Sequence, residues 1–107
     1  MNDGVGIIWG DFAKIEVKTI YSFLKKEATK EVAKKVIDCI TQEVKILANQ
    51  PFLGPIEKEL TNRERAFRCL IYRKYKIIYW INPDQNQIEI WDVFDSRQEP
   101  LKIKRTK

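Results

Sequence analysis

Apolar positions along this chain change their period twice, and each change marks a structural boundary. Residues 4–9, GVGIIW, form a short apolar run closed by Gly10-Asp11, the pattern of a first β-strand. Beyond it Ala13, Val17, Ile20, Tyr21 and Leu24 recur at helical spacing, with Lys14, Glu16, Lys18 and Lys25 largely opposite and Asp11 placed as the N-cap. This helix is expected to end near Lys26-Glu27. Thr29 then caps a second helix, with Glu31 near the positive end of the helix dipole and an apolar stripe of Ala33, Val36, Ile37, Ile40, Val44 and Leu47. A link of only a few residues predicts an antiparallel helix pair. Asn49-Gln50-Pro51 closes the second helix, because proline removes an amide donor and restricts its predecessor.

Residues 51–62, PFLGPIEKELTN, carry two prolines and one glycine and read as a loop, with Phe52, Leu53 and Ile56 expected to pack it against the body. The period then shortens to two. Residues 66–72 alternate Phe67, Cys69 and Ile71 against Arg68, Leu70 and Tyr72. Residues 74–81 alternate Tyr75, Ile77, Tyr79 and Ile81 against Lys76, Ile78 and Trp80. Residues 82–86, NPDQN, are a turn, and residues 87–94 a last strand with Ile88, Ile90 and Phe94 opposite Trp91 and Val93. Both faces of the last two strands are largely apolar, so they are central in the sheet or lie under a partner. Residues 98–107 have no period and read as a basic C-terminal tail. The order β-α-α-β-β-β predicts an α+β fold: an antiparallel-dominated sheet with a two-helix hairpin on one face and the other face partly open. At 107 residues the chain fits one domain, 1–107, with one core.

Charge adds a direction to this picture. The net +5 is concentrated late in the chain: residues 63–76 hold six basic side chains against Glu64, and residues 97–107 hold five against Glu99. That distribution points to an anionic partner or to a solubilising basic surface. The absence of histidine removes Ser-His-Asp and Cys-His nucleophiles, histidine-ligated zinc and the commonest general acid–base group. Glu89, Asp92 and Asp95 share a strand without other ligand types, so no metal or other cofactor is expected. No apolar run approaches the ~18 residues that would span a bilayer. MNDGVGIIW lacks the basic and long apolar segments of a secretory signal, and Cys39 and Cys69 lack CxxC spacing. A reducing cytoplasm is the expected location.

Several local patterns carry a resemblance across nearly the whole chain. They are Trp9 followed by the Ala13–Tyr21 helix, the Pro51–Gly54 loop, the Arg68–Leu70 strand, the strand Tyr75-Lys76-Ile77-Ile78-Tyr79, and the ending Val93-Phe94-Asp95-Ser96-Arg97-Gln98-Glu99-Pro100. Together they resemble the RelE/ParE superfamily of bacterial toxins, the plasmid-stabilisation type of type II toxin–antitoxin systems. The resemblance implies a cytoplasmic growth inhibitor silenced by a cognate antitoxin. It also implies one of two actions: poisoning DNA gyrase by binding, as ParE-like members do, or cleaving mRNA on the ribosome, as RelE-like members do. A basic nucleic-acid-binding module without toxicity is a more distant third reading.

On the cleaving reading, Arg68, Lys76 and Arg97 match the family's catalytic cations. Arg68 and Arg97 would hold the phosphate by two-pronged contacts, and Lys76 would be nearest to a proton-transfer role. The RelE tail aromatic is replaced by Leu101 and Ile103, and Leu70 stands where a strand lysine is expected. The ParE-like action is therefore favoured, and enzymatic activity stays open. Candidate target- or nucleic-acid-binding residues are Arg65, Arg73, Lys74, Trp80, Lys102, Lys104 and Arg105; solvated charge is the alternative for Arg63, Arg65 and Lys74. The catalytic grouping depends on one hairpin. A two-residue turn at Arg73-Lys74 sets Arg68 opposite Tyr79 and sends Lys76 to the other face, whereas a three-residue turn puts Arg68 and Lys76 together. The family resemblance favours the shared face.

Overall fold

The computed structural model describes residues 5–60, 64–98 and 102–105. Within them the chain runs β1 (Gly6–Trp9), α1 (Asp11–Glu27), α2 (Lys30–Ile46), β2 (Arg68–Tyr72), β3 (Tyr75–Asn82) and β4 (Gln87–Asp95). Single 3-10 turns occur at Lys58–Leu60, Ser96–Gln98 and Ile103–Arg105. Thr29 caps α2 as expected, its hydroxyl accepting from the Val32 amide at 3.0 Å. The cap of α1 is Gly10 rather than Asp11, which is the first helical residue and lends its charge to the dipole instead of its side chain to a cap bond.

The sheet order is β1-β4-β3-β2, with β1 parallel to β4 and the other pairs antiparallel. Central placement of β3 and β4 accounts for their apolar character on both faces. On one face the helices bury Ala13, Ile40, Val44 and Leu47 against Leu70, Ile77, Tyr79, Ile88, Ile90 and Val93.

The other face is not the partly open surface expected from sequence. It carries a second cluster of Leu60, Phe67, Cys69, Ile78, Phe94 and Ile103, with Trp80 and Trp91 at its margin. Leu60 at the end of the loop, Phe67 just before β2 and Ile103 in the C-terminal turn supply its cover. Residues 102–105 are therefore no structureless tail: Ile103 has no exposed surface. Arg105 joins Asp92 through two hydrogen bonds of 2.7 and 2.8 Å and reaches Glu16 at 2.9 Å.

A bulge corrects one more expectation. The β3–β4 register shifts between Ile78 and Tyr79, so that Ile78 faces Asp92 while Tyr79 faces Ile90, leaving Trp91 as the extra residue. Strict alternation placed Phe94 beside Ile88 and Ile90; the added residue puts Val93 there instead and turns Phe94 into the second cluster.

The loop after α2 is held through its backbone. The Tyr79 hydroxyl donates to the Pro51 carbonyl at 2.8 Å and accepts from the Gly54 amide at 2.9 Å, and the Arg68 guanidinium donates to the Gly54 carbonyl at 2.7 Å. Phe52, Leu53 and Ile56, expected to do this packing, are exposed. Gly54 allows the close approach: a Cβ there would overlap the Cys69 carbonyl oxygen and lie 2.8 Å from its carbon. Gly54→Ala should destabilise the fold by about 1–3 kcal/mol, the usual cost of forced overpacking. Chemical denaturation reads it directly, and an unchanged midpoint would contradict the tight packing.

Candidate functional site

The β2–β3 hairpin has the two-residue register: Arg68 pairs with Tyr79, Ile71 with Lys76 and Tyr72 with Tyr75. Arg73 in the turn takes a left-handed backbone, φ 54°, which a non-glycine residue adopts only at a cost. The shared face expected for Arg68 and Lys76 is thus corrected, since pairing of period two sends them to opposite sides of the sheet. Arg68 lies against the loop, its guanidinium 4.8 Å from the Phe52 ring centroid. Lys76 lies on the second face in a 2.8 Å ion pair with Glu57, the two side chains only 13% and 8% exposed. Burial tends to raise the Glu57 carboxyl, but hydrogen bonds from Lys76 and the Glu59 amide outweigh it and hold the group below its ordinary range.

Arg97 sits elsewhere again. It follows β4 in the turn Ser96–Gln98, where its guanidinium grips Asp95 at 2.6 and 3.0 Å and remains 73% exposed. Asp95 pairs with Tyr75 beside the hairpin turn, whereas Arg68 pairs with Tyr79 four residues further along β3, roughly 13 Å away at strand spacing. The three cations are three separate contacts.

What the structure does bring together is the hairpin tip. The Ser96 amide donates to the Lys74 carbonyl at 2.6 Å, tying the end of β4 to the turn. The Lys74 ammonium is 3.9 Å from Asp95, which also holds Arg97. A cavity of about 460 Å³ opens here between α1 and the sheet, with Ile20, Phe23, Tyr75 and Val93 on its apolar side and Lys74, Arg97 and Lys102 among its polar walls. A second cavity of about 480 Å³ lies on the other side of Lys74-Tyr75, lined by Leu24, Val32, Val36, Lys35, Tyr72 and Arg73. Arg73 contacts the Tyr72 hydroxyl at 3.1 Å.

Hydrogen bonds from Arg97 depress the Asp95 carboxyl, and Asp95 in turn raises the Arg97 guanidinium. Burial pushes the Tyr75 phenol up, with the Asp95 charge adding to the effect. Arginine stays protonated, and a phenol raised in this way is a poor base near neutrality. The tip presents fixed positive charge around an apolar floor, suited to an anionic or mixed acidic–apolar surface.

The other candidates divide between structure and surface. Arg65 stacks its guanidinium 4.9 Å from the Trp80 ring and 5.1 Å from Trp91, so Trp80 is engaged within the chain. Arg105 serves the Asp92–Glu16 cluster, Lys102 borders the first cavity, and the Lys104 side chain and Arg63 lie outside the described residues. The sequence reading passed over Phe23 and Tyr72 as parts of this site. Phe23 left a signal: it falls beside the α1 stripe rather than on it, three residues after Ile20, which packs on the core, and is 59% exposed.

Solved structures share this fold. A chain of the chromosomal ParDE TA system from P. aeruginosa superimposes with a TM-score of 0.70 at 18% identity, over 85% of this chain and 95% of that one. A chain of the RelBE2 toxin–antitoxin complex from Mycobacterium tuberculosis gives a TM-score of 0.64 at 12% identity, over 87% of this chain and 99% of that one. The two helices and four-stranded mixed sheet are therefore the α+β fold of RelE/ParE toxins. The family model described as the ParE toxin of type II toxin–antitoxin systems, parDE, matches residues 7–100, and the chain belongs to that family. No curated protein matches the sequence. Among the described residues no helix is long and apolar enough to cross a membrane.

Proposed function

We propose that this chain inhibits growth by binding, with DNA gyrase as its target and the hairpin tip as its contact surface. A cognate antitoxin silences it in the cytoplasm. The observation that carries this reading is the two-residue hairpin register, which directs Lys76 away from Arg68 and into the buried pair with Glu57. A cleavage site built on Arg68, Lys76 and Arg97 would need these groups around one phosphate. The exposed cations at the tip need no such convergence to hold a partner surface. Membership of the ParE toxin family supports the choice of gyrase. The ParDE and RelBE complexes among its structural relatives support the antitoxin.

Controlled induction in bacteria, with and without the neighbouring reading frame, tests both parts. Growth arrest with gyrase-dependent DNA breaks, relieved by the neighbour's product, is expected. Codon-phased mRNA cuts without DNA breaks would replace this reading by ribosome-dependent cleavage. Lys74→Ala combined with Arg97→Ala should weaken binding to purified gyrase by about tenfold or more while the chain stays folded. Unchanged affinity would move the contact surface away from the tip.

A further inference from the structure

The two cavities beside the hairpin tip differ in charge. The first contains acids of its own, Glu16 and Asp95, which are held by Arg105 and Arg97. The second, about 480 Å³, lies between the helix pair and the β2–β3 hairpin. Its charged walls are Lys35, Arg73 and Lys74, with no acid among the described residues that line it. Leu24, Val36 and Tyr75 make its apolar wall, and Val32, which also lines it, is 43% exposed.

Helical spacing produces this bias. Val32, Lys35, Val36 and Cys39 share a flank of α2 beside its core stripe of Ala33, Ile40, Val44 and Leu47. Asp38 lies off that flank in a 3.3 Å ion pair with Lys34, and Glu43 follows Cys39 by one turn, outside the cavity wall. Glu31, one turn before Lys35, forms no ion pair with it. Glu27, four residues after Phe23, follows the side of α1 that borders the first cavity. Lys35 and Arg73 therefore have no carboxylate partner among the described residues. The Nε of Arg73 donates to the Tyr72 hydroxyl at 3.1 Å, which leaves its two terminal nitrogens unspent. Glycine or asparagine would take the left-handed backbone of Arg73, φ 54°, with less strain, but neither would put a cation at the cavity.

Charge and polarity together identify the occupant. A small molecule is usually enclosed over most of its surface, whereas this cavity is open to solvent along one side. The apolar wall has no role in holding a phosphate backbone and argues for a protein segment. We propose that this groove seats an acidic segment of a partner protein with an apolar side chain at its centre. A side chain the size of leucine or phenylalanine enters against Leu24, Val36 and Tyr75. Carboxylates beside it meet Lys35 and Arg73, the latter through a two-pronged contact. The proposal rests on the hairpin tip being a contact surface, and not on gyrase being the protein contacted.

Cys39 lies in the cavity wall and Cys69 is buried, so alkylation of Cys39 by iodoacetamide, read by mass spectrometry, reports occupancy of this groove. The probe is a blocked nine-residue peptide of alternating aspartate and leucine, titrated against the full chain up to about 5 mM, the range of a weak single-segment contact. It should slow alkylation by about fivefold or more at saturation. Peptides with asparagine for aspartate, or alanine for leucine, should bind about tenfold more weakly. Lys35→Glu should weaken the aspartate–leucine peptide by about tenfold, each rate being compared with that of the same variant alone. Arg73→Asn, which suits the left-handed turn, should do the same with an unchanged circular dichroism spectrum. No protection at the highest concentration overturns the proposal, as does equal protection by the asparagine peptide. Inorganic phosphate or a single-stranded oligonucleotide that protects as strongly as the peptide also overturns it, making the groove a site for bare anions. Peptide protection of a chain that fails to bind gyrase leaves the groove standing and removes only the gyrase reading. Gyrase binding by a chain that the peptide does not protect removes the groove alone.

Discussion

Arg105→Ala is expected to destabilise the protein by about 3 kcal/mol, because it leaves a buried carboxylate without its counter-charge. Asp92 is 1% exposed and sits on β4 beneath the C-terminal turn, where Arg105 supplies two short hydrogen bonds. Burial raises the Asp92 carboxyl even against these bonds, so desolvation is the dominant influence on it. The same guanidinium reaches Glu16 on α1 and lies over Phe12 and Phe94, so it ties the C-terminal turn to both a helix and a central strand. Its loss should also loosen Ile103, which closes the second core. In a domain of this size the change should lower the melting temperature by more than about 10 °C. Asp92→Asn placed in the Arg105→Ala background should recover part of the loss, since the uncompensated charge is then gone. A single variant that melts within a degree or two of the parent would show that the turn is held by Ile103 alone.

Lys76→Ala should cost a similar amount, about 3 kcal/mol, by stranding Glu57 in a largely buried position. The pH dependence gives this pair its own signature. Glu57 is held below its ordinary 4.5 in the folded chain, so its contribution is fully present above that value and is lost as pH falls through the lower folded one. Parent and Glu57→Gln should therefore differ in stability at pH 7 and converge as the pH is lowered beneath about 4.5. Asp92 has the opposite sign, its raised carboxyl costing stability as pH rises past 3.8, and the comparison cancels it because both proteins share it. Parallel stability curves for the two proteins would remove the ion pair from the account. A Lys76 variant that loses toxicity is thus expected to lose it by unfolding, so stability has to be measured beside activity before any catalytic role is assigned.

Much of the architecture was legible because it rests on local periodicity. The two helices follow from apolar residues at helical spacing with a Thr29 cap, and the two apolar faces of β3 and β4 follow from their place between β1 and β2. The errors arose where one residue resets the phase. Trp91 enters β4 as a bulge and exchanges the faces of Val93 and Phe94, a change that no alternation count detects. The C-terminal turn escaped because Ile103 and Arg105 are held by distant partners and carry no periodic signal of their own.

The sequence by itself determined the element order, the late concentration of positive charge, the exclusion of histidine chemistry and the resemblance to RelE/ParE toxins. These are properties of composition and near neighbours. Which cations lie together was decided only by the tertiary structure. A two-residue turn through Arg73 and Lys74 fixes a register of period two, and a shift of one residue would have brought Lys76 to the side of Arg68. The energies that choose this register are long-range: Tyr79 reaching the backbone at Pro51 and Gly54, and Glu57 receiving Lys76 on the opposite face. They gather Arg73, Lys74, Arg97 and Lys102 around the hairpin tip and place Arg68 on the Gly54 carbonyl and Lys76 against Glu57, on opposite faces of the sheet.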